Sequence, residues 1–339
     1  MRFLVAGAGA IGAYIGARLS KAGFDVTLYA RGPHLLAMQE NGVQVRSSET
    51  DFVARPTIAS SLEDVGFVDV VLLGVKAHSL PQLAPQLRPV LAAETTVISA
   101  QNGIPWWYFQ GFGGDWDGMR LESIDPDGVI SSAIETRRVL GAIVYFSTEI
   151  ATPGVIQHIE GNRISVGEPD GRRSDRSRRI AEALIASGLR CPVTTRIRHE
   201  IWVKLLGNAS LNPLSALTRA TLGEMVRDPG VRSVIRNIMR EVEEVSHKLG
   251  MQLPVSVEQR MEGAEKVAQH KTSMLQDIEA GRSTELEALV GAVVELGERL
   301  GLPMSSTRTI YSCTKLLAEL QLQKNRQEQL TSNHHPLTP

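Results

Sequence analysis

The chain has 339 residues, 42% of them hydrophobic, with 36 Lys and Arg set against 37 Asp and Glu. That length accommodates two domains with cores of their own, and the balanced charge provides no overall field to attract nucleic acid or an anionic membrane. Two cysteines, Cys191 and Cys313, are too few for a disulfide framework and suit a cytoplasmic protein, and no apolar run has the length of a membrane helix.

Residues 2–6 read as a short buried strand, followed by Gly7-Ala8-Gly9-Ala10-Ile11-Gly12 and an apolar helix pattern. Strand, glycine turn and helix in that order form the context of a dinucleotide-binding site. Gly7 permits the tight turn, Gly9 lets a pyrophosphate reach the backbone, and Gly12 lets the helix close on the strand. The start of that helix also offers free N–H groups to phosphate. A second strand over residues 25–30 ends without the acidic residue that would hold a ribose 2′-hydroxyl. Arg31 stands there instead, a planar cation suited to a 2′-phosphate, so the expected cofactor is NADPH.

Residues 43–58 alternate around turn residues, as a hairpin or two extended segments would. The continuous apolar run 68–75 reads as a central parallel strand, with Lys76 at its carboxyl end pointing toward the cofactor. A helix over 79–91 and a strand over 95–100 follow, ending in Gln101-Asn102-Gly103, where Asn102 serves either a turn or a substrate or nicotinamide contact. From 104 to 138 the pattern dissolves into an insertion. Its Trp106-Trp107-Tyr108-Phe109 cluster is either an internal anchor or a partner surface. Strands are expected at 139–148, 155–158 and 163–166, then a helix at 174–188 and a short strand near Cys191.

After Thr195 the chain turns helical. Residues 200–217 form a helix that is apolar on nearly every side, broken by Lys204, Asn208 and Asn212 at steps of four. Those three line up as one polar stripe, which either snorkels and caps backbone or faces a ligand. Further helices are expected at 221–227, 230–250, 256–270, 283–300 and 307–323. The apolar faces of 230–250 and 283–300 can pack within their own domain or against a second copy in a homodimer. A polar tail begins near Gln321. The resulting division is an α/β Rossmann-type domain over 1–195, an all-helical domain over 196–325, and a disordered tail over 326–339.

Taken together these motifs resemble the ketopantoate reductase family. The resemblance rests on residues 7–12, Arg31, Val75-Lys76-Ala77, Gln101-Asn102-Gly103, the run from Trp202 to Leu214, and residues 273–278 and 284–287. It implies reduction of a 2-oxo acid to its 2-hydroxy acid with NADPH, on the way to pantothenate and coenzyme A. It also implies that Lys204 is the catalytic acid, with Asn208, Asn212 and Ser273 holding the substrate and Asn102 reaching both substrate and nicotinamide. Arg31 and Lys76 contact the 2′-phosphate end of the cofactor, Glu285 sits by the nicotinamide ribose and Lys204, and Asp277 belongs to the same polar site. No metal is called for.

The chemistry of these residue types agrees. Hydride delivered to a carbonyl carbon leaves an alkoxide, and a buried lysine supplies both proton and charge. The long segment after Gly103 and the pair Thr148-Glu149 depart from the family pattern and bear on the substrate more than on the reaction. Two other readings stay open: a reductase of another branched 2-oxo or 3-hydroxy acid, and a nonenzymatic NADP(H)-binding regulator.

Overall fold

Runs of Val, Ile and Leu bounded by Gly, Pro and Asn set the strands of the first part of the chain. They are β1 (Arg2–Ala6), β2 (Asp25–Tyr29), β3 (Val43–Arg46), β4 (Phe52–Ala54), β5 (Thr57–Ala59), β6 (Val68–Leu73), β7 (Leu91–Ser99), β8 (Val139–Thr152) and β9 (Val155–Gly167). The helices among them are α1 (Ala10–Lys21), α2 (Gly32–Asn41), α3 (Leu80–Leu83), α4 (Val129–Ala133) and α5 (Asp175–Ala186). The computed structural model describes residues 1–332. It divides into two units between Glu200 and Ile201, where the sequence suggested 195/196.

In the first unit β5, β2, β1, β6, β7 and β8 lie side by side, each parallel to its neighbours. This is the doubly wound dinucleotide-binding order, and it reverses at β1, between β2 and β6. β8 then folds back on β9 as a long antiparallel hairpin, and β3 and β4 extend the sheet beyond β9. The segments expected within 43–58 are therefore the β3–β4 hairpin and β5. β4 and β5 occupy opposite ends of the strand order, yet only Arg55 and Pro56 separate them. Three Cα steps reach about 11 Å at most, so the two edges are drawn together and the sheet curls. α1 lies inside the curl. Its Ala13, Tyr14, Ile15, Ala17 and Leu19 are buried in one core with Val5 and Leu28 on one side and Val144, Phe146, Ile156 and Ile164 on the other. The Tyr14 ring sits 5.2 Å from Phe146 and stacks at 5.0 Å on His158.

The helix expected at 79–91 is not continuous. Pro81, Pro85 and Pro89 each remove an N–H, leaving only α3 between two 3₁₀ segments, Ala77–Ser79 and Ala84–Val90. β7 starts earlier than expected, and the two strands foreseen at 155–158 and 163–166 are one, β9. Within 104–138 the aromatic question is settled by burial: Trp106, Trp107, Tyr108 and Phe109 are all interior. Arg198 fastens the segment, its Nε donating to the Tyr108 carbonyl at 2.8 Å and Nη2 to the Gln110 carbonyl at 2.8 Å. Its Nη1 donates to the carbonyl of Pro169.

The helical unit is built from α6 (Ile197–Thr218), α7 (Leu222–Arg227), α8 (Pro229–Lys248), α9 (Val257–Lys266), α10 (Ser273–Glu279), α11 (Ala292–Arg299) and α12 (Ser305–Ser332). A π turn, Glu287–Gly291, leads into α11, so helical structure begins at Leu286 rather than 283. α8 turns Ile235, Ile238, Met239, Val242 and Val245 inward, packing against α7, α9, α11 and α12 of its own unit. α9 ends at Lys266, short of the expected 270. α10 is an addition to the expected helices, capped by the Thr272 hydroxyl, which accepts from Leu275 N–H at 3.2 Å. The tail expected over 326–339 needs correction in its first part: residues 326–332 continue α12, whose helical N–H and C=O groups satisfy one another whatever the side chains. The rest of that tail lies outside the described residues.

Candidate active site

In the first unit the chain leaves β1 at the point where strand order reverses, and the three motif glycines prove bare for different reasons. Gly7 has φ +106°, and a Cβ there would lie 2.8 Å from Val75 N. A Cβ on Gly12 would strike the Gly7 carbonyl oxygen and come 2.9 Å from Val5 Cγ1. Gly9 is under no such pressure: its φ is −71°, and the nearest atom to a Cβ would be the Gly74 carbonyl oxygen at 3.8 Å. The fold itself tolerates a side chain at 9, so its absence leaves backbone uncovered where a pyrophosphate would lie. Ala8, Ala10 and Ile11 complete the loop. No side chain caps the start of α1, and its first turn holds no acidic residue, which leaves it suited to an anion.

Arg31 is exposed at the N-cap of α2, its guanidinium 5.5 Å from the centre of the Tyr29 ring. Three residues on, His34 Nδ1 accepts from Gly154 N–H at 2.9 Å. Burial lowers the pKa of that imidazole, with the Ala8 backbone pulling the other way. Lys76 is partly buried and opens the 3₁₀ turn after β6. Asn102, also partly buried, follows β7. The sequence reading assigned no role to Gln101, yet it organises both strand ends. Its Nε2 donates to the carbonyls of Leu73 at 2.8 Å and Val75 at 3.1 Å, and its Oε1 accepts from Ser99 Oγ at 3.0 Å. Lys76 and Asn102 thereby follow the tied ends of two neighbouring strands. Thr148 and Glu149 lie on β8, opposite His158 and Gln157 of β9.

In the helical unit α6 is buried at almost every position from 201 to 216. Lys204 and Asn208 are among the few partly open ones, and Asn212 is buried. The Lys204 ammonium has a pKa lowered to about 8. Loss of water is the main cause; the Glu285 carboxylate opposes it and the Arg260 guanidinium adds to it. Glu285 immediately precedes the helical stretch that starts at Leu286, and its carbonyl accepts from Leu289 N–H at 3.1 Å. Ser273 is exposed at the first position of α10. Asp277 is buried and accepts from Arg282 Nε at 3.1 Å, while Arg282 N–H donates to the Asp277 carbonyl at 2.7 Å. That pair closes the turn leading toward Glu285. Arg260 was missed by sequence reasoning, since nothing in α9 alone marks it out.

Hydride chemistry on a carbonyl needs a bound dinucleotide and an acid still protonated near neutral pH. The first unit has a glycine loop of the type that suits the one, and the second a buried lysine of the type that suits the other. The chain is an oxidoreductase. Residues 3–107 match the family model described as ketopantoate reductase PanE/ApbA, and residues 196–318 match its C-terminal counterpart. It therefore belongs to the ketopantoate reductase family. It is 44% identical over 319 residues to a 2-dehydropantoate 2-reductase of Mesorhizobium japonicum, covering 94% of this chain and 98% of the relative. It is 31% identical to the enzyme of the same name from Archaeoglobus fulgidus, covering 93% and 97%. A crystal structure from Ralstonia solanacearum superposes with a TM-score of 0.90 at 35% identity, over 94% of this chain and 98% of that one.

Proposed function

We infer that the chain is a 2-dehydropantoate 2-reductase, reducing ketopantoate to pantoate with NADPH. The observation that carries the chemistry is Lys204, an ammonium with a pKa of about 8 in line with two asparagines on α6. The named relatives support the substrate.

NADPH, when bound, supplies the hydride that reaches the 2-oxo carbon. The Lys204 ammonium lies by the carbonyl oxygen, stabilises the negative charge that grows there, and transfers its proton to it. Asn208 and Asn212 orient the substrate through neutral amides, and the Ser273 hydroxyl adds a further donor. Asn102 positions the substrate against the nicotinamide. Glu285 keeps Lys204 charged and holds the nicotinamide ribose. Asp277 acts through Arg282, fixing the turn that brings Glu285 into place. The loop from Gly7 to Gly12 takes the pyrophosphate, and Arg31 with Lys76 takes the 2′-phosphate. The two thiols, Cys191 buried and Cys313 exposed, are both free, in keeping with a cytoplasmic setting. With the α8 face turned into its own unit, a homodimer would have to use another surface.

The test is NADPH oxidation by the purified protein across a panel of 2-oxo acids, with ketopantoate set against unbranched and bulkier analogues. Ketopantoate is expected to give the highest kcat/KM, and Lys204→Ala to lower turnover by about 10²- to 10⁴-fold while NADPH still binds. Preference for another branched acid would move the substrate and keep the reaction. Tight NADPH binding with no turnover of any member would favour a regulator instead.

A further inference from the structure

We propose that Arg260 is a substrate-binding residue whose guanidinium receives the carboxylate of the 2-oxo acid beside Lys204. The inference rests on the reductase reading and deepens it. Arg260 stands on the first turn of α9, a helix start fixed by reciprocal hydrogen bonds between Ser256 and Gln259. From there its guanidinium lies against Gly207 of α6, one residue before Asn208 and three after Lys204. A Cβ on Gly207 would come within 2.5 Å of Arg260 Nε and 2.8 Å of Cζ. Glycine inside a helix is less stable than alanine, so a bare position here has a specific use: it makes room for the guanidinium.

The charge pattern points the same way. The other substrate groups on α6, Asn208 and Asn212, are neutral amides. Arg260 places a second positive charge within electrostatic reach of Lys204, where the Glu285 carboxylate is the stronger and opposite influence. A substrate carboxylate arriving there meets both cations. A 2-oxo acid carries its carboxylate on the carbon next to the carbonyl, so the anion must lie within a few ångströms of the oxygen that Lys204 protonates. The planar fork of arginine matches a carboxylate in two parallel hydrogen bonds, which an asparagine or serine cannot do.

The experiment compares wild type, Arg260→Gln and Arg260→Lys on a 2-oxo acid and on its uncharged 2-oxo amide, with NADPH binding measured by fluorescence titration. Arg260→Gln is expected to raise KM for the acid by about 10- to 100-fold, the range for a hydrogen bond to a charged group. Its kcat and NADPH affinity should stay within a few-fold, KM for the amide should be unchanged, and Arg260→Lys should recover part of the loss. An acid KM within twofold of wild type overturns the proposal, and so does an equal rise for acid and amide, which marks a structural role. Wild-type turnover is measured first. Its absence overturns the reductase reading and this proposal with it, whereas an active wild type and an unaffected Arg260→Gln overturn this proposal alone.

Discussion

Lys204 joins two requirements that usually conflict: burial enough to sharpen its field, and charge enough to give up a proton. Its pKa is depressed, to about 8, so the acid form is present below that value and lost above it. The alkaline limb of kcat/KM is therefore expected to fall as pH rises through about 8. Glu285 raises this pKa and Arg260 lowers it, so Glu285→Gln should move the limb to lower pH and Arg260→Gln to higher pH. A limb that stays in place in both variants would mean that it reports some other group. The stripe was legible in the sequence because helical periodicity puts residues four apart on one face. Arg260 was not, because it meets α6 from a helix more than fifty residues later, and no local pattern encodes that approach. Gln101 escaped for a related reason: at the end of a strand a buried glutamine and a turn glutamine look the same.

At the level of elements, most helices and strands follow from apolar spacing and caps, and the exceptions have physical causes. Proline at every fourth position from 81 to 89 breaks a helix that composition alone favours. α10 is too short for periodicity to announce, and its threonine cap is the only local signal. The segment 104–138 lacks any repeat because its order comes from irregular contacts: its buried aromatics, hydrogen bonds such as those from Ile130 and Ser131 N–H to the buried Asp125 carboxylate, and Arg198. Arg198→Ala removes the donors to the carbonyls of Tyr108, Gln110 and Pro169 together. The expected cost is about 2 kcal/mol, since three hydrogen bonds from a charged group to part-buried carbonyls are lost together. Urea unfolding should register it as a lower midpoint with unchanged slope, and limited proteolysis should find new cleavage within 104–138. An unchanged midpoint would show that the aromatic cluster holds the segment unaided.

For the molecule as a whole, the succession of a nucleotide-binding sheet and a helical unit was legible from the order of its motifs, because each motif carries its own local geometry. The curl of the sheet was not. It depends on which strands pair, and the two-residue link between β4 and β5 acquires meaning only once they stand at opposite edges. That curl has a consequence for how the protein is made. α1 follows the nucleotide loop and is made before β8 and β9, which form part of its wall and end at Gly167. A fragment stopping at residue 107, the end of the first family match, leaves that face of α1 in water. It is expected to show no cooperative thermal transition and no NADPH binding, and either result in the positive would mean that the early strands suffice. During synthesis, then, the nucleotide site cannot close until the β8–β9 hairpin has emerged, and until that moment the nascent chain carries an open apolar helix for a chaperone to shield.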